Sequence, residues 1–222
     1  MSTNTFNLNG TKLEFITSPG VFAQYGLDAG SEILLQAIIE QIDQKSEIRI
    51  LDLGCGCGFI GLSLVEYFTG SEATTALMAE RTEKKSKSGR DSVTFDPEDS
   101  AQARRLGTTA LLVDSDIRAV RLSRRNAKLN KLNTKVEVEI GDVATDVPRG
   151  EFDLVVSNPP THQGREVVMD FIRAAHHGLR EGGEAWFVVN RMASMIKKVN
   201  QVFGNSEKVV KKKGYIVVRA VK

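Results

Sequence analysis

Cysteine is scarce in this sequence of 222 residues, which contains only Cys55 and Cys57. The two stand one residue apart, and that spacing is too tight for an ordinary intrachain disulfide. No second Cys or His pair accompanies them to complete a zinc site, so the sequence predicts no metal centre. We expect both thiols to be reduced and to act as small packing residues.

Long apolar runs and an excess of one charge are also missing. The first residues, MSTNTFNLNGTKLEF, contain no basic stretch followed by an apolar core, as a secretory signal would. No apolar run approaches the roughly 20 residues that a membrane helix needs, so we expect a cytoplasmic protein without a membrane contact. A net charge of +2 does not indicate nucleic acid by itself, and a basic surface would have to come from clustering.

Short apolar segments alternate with amphipathic ones along most of the chain. Strands are predicted at 49–54, 109–114, 136–140 and 152–157, in AWFVV, and in a hairpin around Gly214. Helical spacing is found at 59–68, 116–132 and 166–179, and Gly182 and Gly183 are predicted to end the last helix. This alternation predicts a single α/β domain over 1–222, with a mostly parallel sheet and helices on both faces.

Two segments depart from this alternation. Residues 1–30 begin with strand-like and loop-like sequence, and we predict a flap there. Residues 69–106 are polar, charged and poor in aromatic side chains, which predicts a surface insertion. TTALMAE at 74–80 resembles TTALLVD at 108–114, and we assign the second strand to the later copy because a helix follows it at once.

A glycine-rich turn, DLGCGCG, follows the first predicted strand. Gly54, Gly56 and Gly58 would let the backbone approach a ligand closely at the carboxyl end of the sheet. Gly56, Gly58 and Gly61 also match the pattern of nicotinamide dehydrogenases, but that match alone is weak. Asp52, which precedes the glycines, suits the cationic amino-acid end of a ligand better than a pyrophosphate.

Two further carboxylates end the next strands. Asp114 is placed to accept both ribose hydroxyls of a nucleoside, and Asp142 is placed to receive an adenine amino group. Singly, each of these residues is an ordinary capping or solvated aspartate. Three acids at the carboxyl ends of three successive strands are a stronger indication of a nucleoside-containing cofactor.

The sequence Ser157-Asn158-Pro159-Pro160 follows the fourth predicted strand. The two prolines fix the backbone and remove two N–H donors, which leaves carbonyl groups pointing outward. Asn158 adds a side-chain carbonyl acceptor. Two converging acceptors can hold an NH₂ group and aim its lone pair at the methyl group of S-adenosylmethionine (SAM), so catalysis would rest on positioning and polarisation.

Together, these motifs resemble the methyltransferase small-domain family, typified by ribosomal RNA guanine-N2 methyltransferases. The segments that carry the resemblance are DLGCGCG, SNPP, PGVF at 19–22, LDAGS at 27–31 and the closing KKKGYIVVRAVK. The resemblance covers nearly the whole chain except the insertion. It implies a seven-stranded class I sheet with a reversed last hairpin, SAM as cofactor at Asp52 to Gly58, Asp114 and Asp142, and Asn158 as the catalytic residue.

The chain departs from many relatives directly after the two prolines. Those relatives have an aromatic residue there that stacks on the target base, whereas this chain has Thr161. We take Phe22 as the candidate for stacking the base, with a core phenylalanine as the alternative. His162 is a further candidate for substrate contact, because it lies near Asn158 in the sequence.

A basic helix face predicts contact with RNA. The residues that share this face, or lie beside it, are Arg118, Arg121, Arg124, Arg125, Lys128 and Lys131. Such a face can neutralise phosphates, although a solvated helix surface has the same composition. We expect an enzyme that methylates an exocyclic base amine in RNA, at guanine N2 of ribosomal RNA. The alternatives are a protein-glutamine or small-amine methyltransferase and a non-catalytic RNA-binding factor.

Overall fold

The computed structural model describes residues 1–8, 10–21, 28–42, 47–70, 107–190 and 194–222. The described strands form a two-stranded hairpin and a seven-stranded sheet. The hairpin pairs β1 with β2, and the large sheet has the order β5-β4-β3-β6-β7-β9-β8. The bounds are β1 Ser2–Leu8, β2 Thr11–Thr17, β3 Arg49–Leu53, β4 Thr109–Asp114, β5 Val136–Ile140, β6 Phe152–Ser157, β7 Leu179–Asn190, β8 Glu207–Lys212 and β9 Tyr215–Val221.

Strands β3 to β7 are parallel, and β9 runs antiparallel to both of its neighbours. The central strands are near-continuous apolar runs, as expected for strands that are covered on both faces. The predicted α/β fold, with about seven strands and an antiparallel last strand, is confirmed. The second strand is the later of the two similar segments, as predicted, while the earlier copy at 74–80 lies outside the described residues.

The described helices are α1 Ala29–Gln41, α2 at 59–70, α3 Ile117–Leu129, α4 Arg165–Gly178 and α5 Met195–Phe203, with a 3₁₀ turn at Thr161–Gln163. Alternate residues of each central strand enter two separate cores, so Ile50 packs with α1, α2 and α3 while Leu51 packs with α4 and α5. Asp52 is therefore directed to the α2 side of the sheet. No described helix has both the length and the apolar character that crossing a membrane requires.

The role predicted for Gly182 and Gly183, to end a helix, was wrong. The helix predicted at 166–179 ends at Gly178, and Leu179 already begins β7. Gly182 and Gly183 lie instead within an irregular stretch of that strand, where three extra residues interrupt its pairing with β6. The pattern was misleading because a glycine pair after a helix also suits a bulged strand, and Gly182 has a φ of 77° there.

The N-terminal hairpin packs against α3 instead of joining the large sheet. Two asparagines one helical turn apart, Asn126 and Asn130, pair through their side-chain amides with the backbone of β2. Asn130 exchanges hydrogen bonds with the N–H and C=O of Glu14, and Asn126 does the same with Ile16. Asn126 also donates to the Cys57 carbonyl at 2.8 Å. The strand-like character predicted for this segment is confirmed, and the flap itself stays a prediction.

The predicted surface insertion falls almost entirely outside the described residues. Only its first two residues are described, and they form the end of α2. If this segment is a surface insertion, deleting residues 84–99 should leave folding and activity unchanged, and purified deletion protein compared by thermal melt and turnover would check it.

Candidate active site

The turn after β3 is shaped by glycines. Gly54, Gly56 and Gly58 have φ values of 70°, 58° and 82°, a region that glycine adopts without a steric cost. The N–H of Gly54 and that of Cys55 both donate to the Val113 carbonyl of β4. A Cβ at Gly54 would lie 2.9 Å from the ring of Phe171 in α4. The backbone of this turn therefore passes directly between β4 and α4.

Asp52 is buried beneath this turn and holds it to α2. Its carboxylate accepts the Gly61 N–H at 2.9 Å, and only 1% of the residue is exposed. Burial raises the pKa of Asp52 to about 7, the Gly61 hydrogen bond opposes that rise, and the nearby Asp114 charge adds to it. Burial also raises the pKa of the Cys57 thiol to about 11, which agrees with an inert packing role for that cysteine.

Asp114 and Asp142 stand at the carboxyl ends of β4 and β5. The two carboxylate oxygens of Asp114 accept the N–H groups of Gly56 and Asp116, each at 2.9 Å. Asp142 accepts the Ala144 N–H at 2.9 Å. Because a carboxylate oxygen has two lone pairs, each group keeps acceptor capacity for a ligand after these bonds.

The Ser157-Asn158-Pro159-Pro160 turn leaves β6 beside the glycine turn. The Ser157 hydroxyl donates to the Leu53 carbonyl at 2.8 Å, which ties the ends of β6 and β3 together. The Asn158 side-chain NH₂ donates to Asp28 at 2.8 Å and to the Ser31 hydroxyl at 3.0 Å. The NH₂ of an amide can only donate, so the Asp28 carboxylate determines which way the amide faces and turns its carbonyl oxygen away.

An open cavity of about 690 Å³ lies between these turns. Its volume is within the range of small-molecule sites in proteins. The residues predicted from sequence that line it are Gly54, Gly56, Asp114, Asp142, Asn158, Pro160 and His162. Of the predicted residues that the structure describes, Asp52, Gly58, Pro159 and Thr161 do not line it. Phe22, the candidate for stacking a base, lies outside the described residues.

Several site residues were not identified from the sequence. Asp28 and Ser31 contact Asn158, and Val21 and Phe171 line the cavity. Asp28 has the local signature of a helix N-cap, which explains its contact with the Ser31 N–H but does not predict Asn158 as a partner. Phe171 matched the helical spacing of a core residue, and it does belong to the core.

The basic residues of α3 lie mainly on its solvent side. Arg121, Arg124, Arg125 and Lys128 are exposed, and Arg124 also donates to the Val138 carbonyl of β5. Arg118 pairs with Asp116 and donates to the Gly20 carbonyl at the cavity. Within the described part of the chain, no cluster of three or more His, Cys, Asp or Glu side chains is arranged to hold a metal ion.

The polar groups that line the cavity fit SAM. Backbone at a glycine turn lies beside two carboxylates on adjacent strands, and such carboxylates suit ribose hydroxyls and an adenine amine. This arrangement, on a seven-stranded sheet whose last strand is reversed, defines a class I methyltransferase fold.

The chain belongs to the methyltransferase small domain family, whose model matches residues 12–90 and 100–219. Methyl transfer from SAM is the chemistry of this family. The family predicted from the motifs, and with it the predicted cofactor class, is therefore confirmed.

Among curated relatives, the ribosomal RNA large subunit methyltransferase G of Stutzerimonas stutzeri is 29% identical over 98% of this chain and 48% of its own length. The ribosomal RNA small subunit methyltransferase C of Haemophilus influenzae is 30% identical over 95% of this chain and 51% of its own length. This chain thus spans about half the length of these relatives. The uncharacterized protein YbxB of Bacillus subtilis is 29% identical over 98% of this chain and 90% of its own length.

A solved structure has the same fold. The 16S rRNA N2 methyltransferase of T. thermophilus, in complex with AdoMet and guanosine, superposes with a TM-score of 0.74 at 23% identity. The match covers 100% of this chain and 50% of that one. The same fold therefore occurs in an enzyme that contains both a methyl donor and a guanine nucleoside.

The buried Asp52 predicts a pH-dependent stability. Because its pKa is raised from the ordinary value of 3.8 to about 7 in the folded protein, the folded state binds a proton more tightly than the unfolded state. Stability should thus fall as pH rises through that interval. Asp52→Asn keeps an acceptor for Gly61 without a charge to bury. We expect its Tm advantage over the wild type, without SAM, to grow from about pH 4 to pH 7 and then level off. A difference that is constant across these pH values would contradict the buried-charge explanation.

Proposed function

We propose that this chain is a SAM-dependent N-methyltransferase that acts on an exocyclic base amine in RNA, at guanine N2 of ribosomal RNA. The observation that carries the proposal is the orientation of Asn158. Its NH₂ group is held by Asp28, so its carbonyl oxygen is available as an acceptor beside a cavity that carries Asp114 and Asp142. The ribosomal RNA methyltransferases among its relatives support the choice of acceptor.

SAM, when bound, supplies an electrophilic methyl group. The chain's own part at this end of the site is to bind and orient the donor. Asp114 has acceptor capacity for the ribose hydroxyls, Asp142 for the adenine amine, and the turn at Gly54 to Gly58 brings backbone close to the ligand. Asp52 contributes from below, because it anchors the turn through the Gly61 N–H.

Two acceptors at the Asn-Pro-Pro turn would hold the target amine. Asn158 supplies its side-chain carbonyl, and the turn supplies a backbone carbonyl. The candidates are the carbonyl of Pro159, which does not line the cavity, and that of Pro160, which does line it and already accepts the Gln163 N–H with one lone pair left. With both N–H groups engaged, the nitrogen lone pair is aimed at the donor, and the acceptors stabilise the positive charge that develops on nitrogen. The released proton can pass to water, and a strong base is not needed.

The experiment that tests this function uses SAM labelled on its methyl group. The protein is incubated with naked ribosomal RNA, ribosomal subunits and ribosomal proteins, all from cells that lack this gene. We expect label in RNA that ribonuclease releases and that comigrates with N2-methylguanosine after digestion. Label in glutamine of a protein would replace the RNA acceptor by the protein alternative, and no transfer despite measured SAM binding would contradict the enzymatic proposal.

We further propose that the exposed side of α3 binds the RNA backbone. Each neutralised phosphate releases counterions, so binding that uses this face depends on salt. The double variant Arg121→Glu/Lys128→Glu should weaken RNA binding and reduce the slope of log K against log salt by about 2. SAM affinity should not change. Fluorescence anisotropy of a labelled ribosomal RNA fragment at several salt concentrations measures both quantities.

A matched control is available at the other edge of the sheet. Lys208 and Lys211 are exposed on β8, the strand farthest from β5 and α3 in the sheet order. The variant Lys208→Glu/Lys211→Glu makes the same change in net charge. Equal losses of affinity in the two double variants would mean that total charge matters, and the proposed interface on α3 would then be wrong.

A further inference from the structure

Asp28 makes more contacts than helix capping requires. One of its carboxylate oxygens accepts three hydrogen bonds: from the Ser31 N–H at 2.9 Å, from the Ser31 hydroxyl at 3.3 Å and from the Asn158 NH₂ at 2.8 Å. The other oxygen accepts the Tyr215 hydroxyl at 3.4 Å. A cap needs only the first of these bonds. The bonds from Asn158 and Tyr215 join the start of α1 to the turn after β6 and to the start of β9.

Close packing holds this group together. A Cβ on Gly30 would lie 2.6 Å from the Tyr215 ring, so the ring rests against the backbone of the first turn of α1. Burial raises the pKa of the Tyr215 hydroxyl, and the adjacent Asp28 raises it further, so the hydroxyl keeps its proton and acts as a donor. Asp28 is thereby surrounded by donors from three elements, and the Asn158 amide is one of them.

We propose that Asp28, supported by Ser31 and Tyr215, is a positioning residue that sets the orientation of the Asn158 amide and strengthens its carbonyl oxygen as an acceptor. This inference rests on the proposed function, in which that oxygen holds the target amine. A reversed amide would present N–H groups to another N–H donor, and the amine could not be held. A negative charge behind the NH₂ polarises the amide, because hydrogen bonds in series strengthen one another.

The charge of Asp28 can be removed while its cap is kept. Asparagine caps helices as well as aspartate does, so Asp28→Asn leaves an acceptor for Ser31 and Asn158 but no negative charge. We expect kcat to fall about tenfold, a loss near that of one charge-assisted hydrogen bond, and the Kd for SAM to stay within about twofold. An unchanged kcat would overturn the proposal.

A double-mutant cycle tests whether Asp28 acts through Asn158. If it does, adding Asp28→Asn to Asn158→Ala should change kcat by less than about twofold, because the group that Asp28 positions is already gone. The same tenfold loss in both backgrounds would show that Asp28 acts independently of Asn158 and would overturn the proposal. Gln36→Gly is the matched control, because it destabilises α1 at an exposed position. We expect its kcat at a temperature well below Tm to equal that of the wild type.

A spectroscopic measurement separates this proposal from the proposed function. The side-chain NH₂ signals of Asn158 can be identified in a ¹⁵N–¹H spectrum by their loss in Asn158→Ala. We expect these signals to shift in Asp28→Asn and to stay in place in Gln36→Gly, whether or not any acceptor has been methylated. Unmoved signals in Asp28→Asn would overturn the positioning role. Absence of methyl transfer by the wild type, with the shift present, would count against the proposed function alone.

Discussion

Replacing Asn158 by alanine is expected to lower turnover at least about 100-fold, the size of effect that follows the loss of one hydrogen bond that stabilises a transition state. The substitution removes the carbonyl oxygen that would hold the target amine. It also leaves the Asp28 carboxylate without one of its donors. Because Asn158 is assigned to the acceptor amine and not to the methyl donor, the Kd for SAM should remain within about twofold of the wild-type value.

Single-turnover kinetics with labelled SAM and calorimetric titration of SAM measure these two quantities separately. Asn205→Ala is the matched control, because it also removes a hydrogen-bonded asparagine amide, but one that bonds to the backbone of Val221 in β9. Near-normal turnover of Asn158→Ala would remove Asn158 from the mechanism. A large loss of SAM affinity in that variant would instead assign it to the donor site.

Replacing Asp114 by asparagine is expected to weaken SAM binding roughly 100-fold. Both carboxylate oxygens accept backbone N–H groups, from Gly56 and from Asp116, so an amide in this position must point its NH₂ at another donor. The two ribose hydroxyls assigned to Asp114 would also lose a charged acceptor, so two charge-assisted hydrogen bonds to SAM are lost or weakened. At about 1.5 kcal/mol or more for each bond, and 1.4 kcal/mol for each factor of ten, the loss reaches about two orders of magnitude.

Equilibrium titration of SAM measures this effect, and thermal unfolding shows whether the fold persists. Asp153→Asn serves as the control, because Asp153 also accepts a backbone N–H, that of Arg49, but lies at the opposite end of the parallel strands. Wild-type affinity of Asp114→Asn for SAM would exclude the ribose contact assigned to Asp114. Of the two carboxylates that line the cavity, Asp142 alone would then remain assigned to SAM.

Most of the fold and the centre of the site could be predicted because their signals are local. Apolar runs define β3, β4 and β6, and the turns that carry Gly54 and Asn158 follow such runs directly. The carboxyl ends of adjacent parallel strands lie at one edge of a sheet. The alternation of strands and helices therefore already implied that Gly54, Asp114 and Asn158 would lie together.

The contacts of Asn158 could not be predicted in this way. Asp28 precedes it by 130 residues, and Tyr215 is 187 residues from Asp28. Each has an ordinary local explanation, as a helix cap and as a strand residue. Only the packing of α1 across β7 and β9 brings them to the Asn-Pro-Pro turn. The role predicted for Gly182 and Gly183 was wrong for the opposite reason. A local rule for glycines after a helix was applied to residues whose conformation is determined by strand pairing.

The side chains of Asn126 and Asn130 have a consequence for association between molecules. Four residues along a helix cover about 6 Å, and two residues along a strand cover about 6.7 Å. Because these distances are nearly equal, two side-chain amides one helical turn apart can each hydrogen-bond to one of two successive outward-facing residues of β2. An outer strand with open N–H and C=O groups is a template for pairing with other chains. Here the side chains of Asn126 and Asn130 already bond the N–H and C=O groups of Ile16 and Glu14. Because Asn126 also holds the Cys57 carbonyl, one buried side chain both shapes the glycine turn and protects the hairpin from edge-to-edge aggregation.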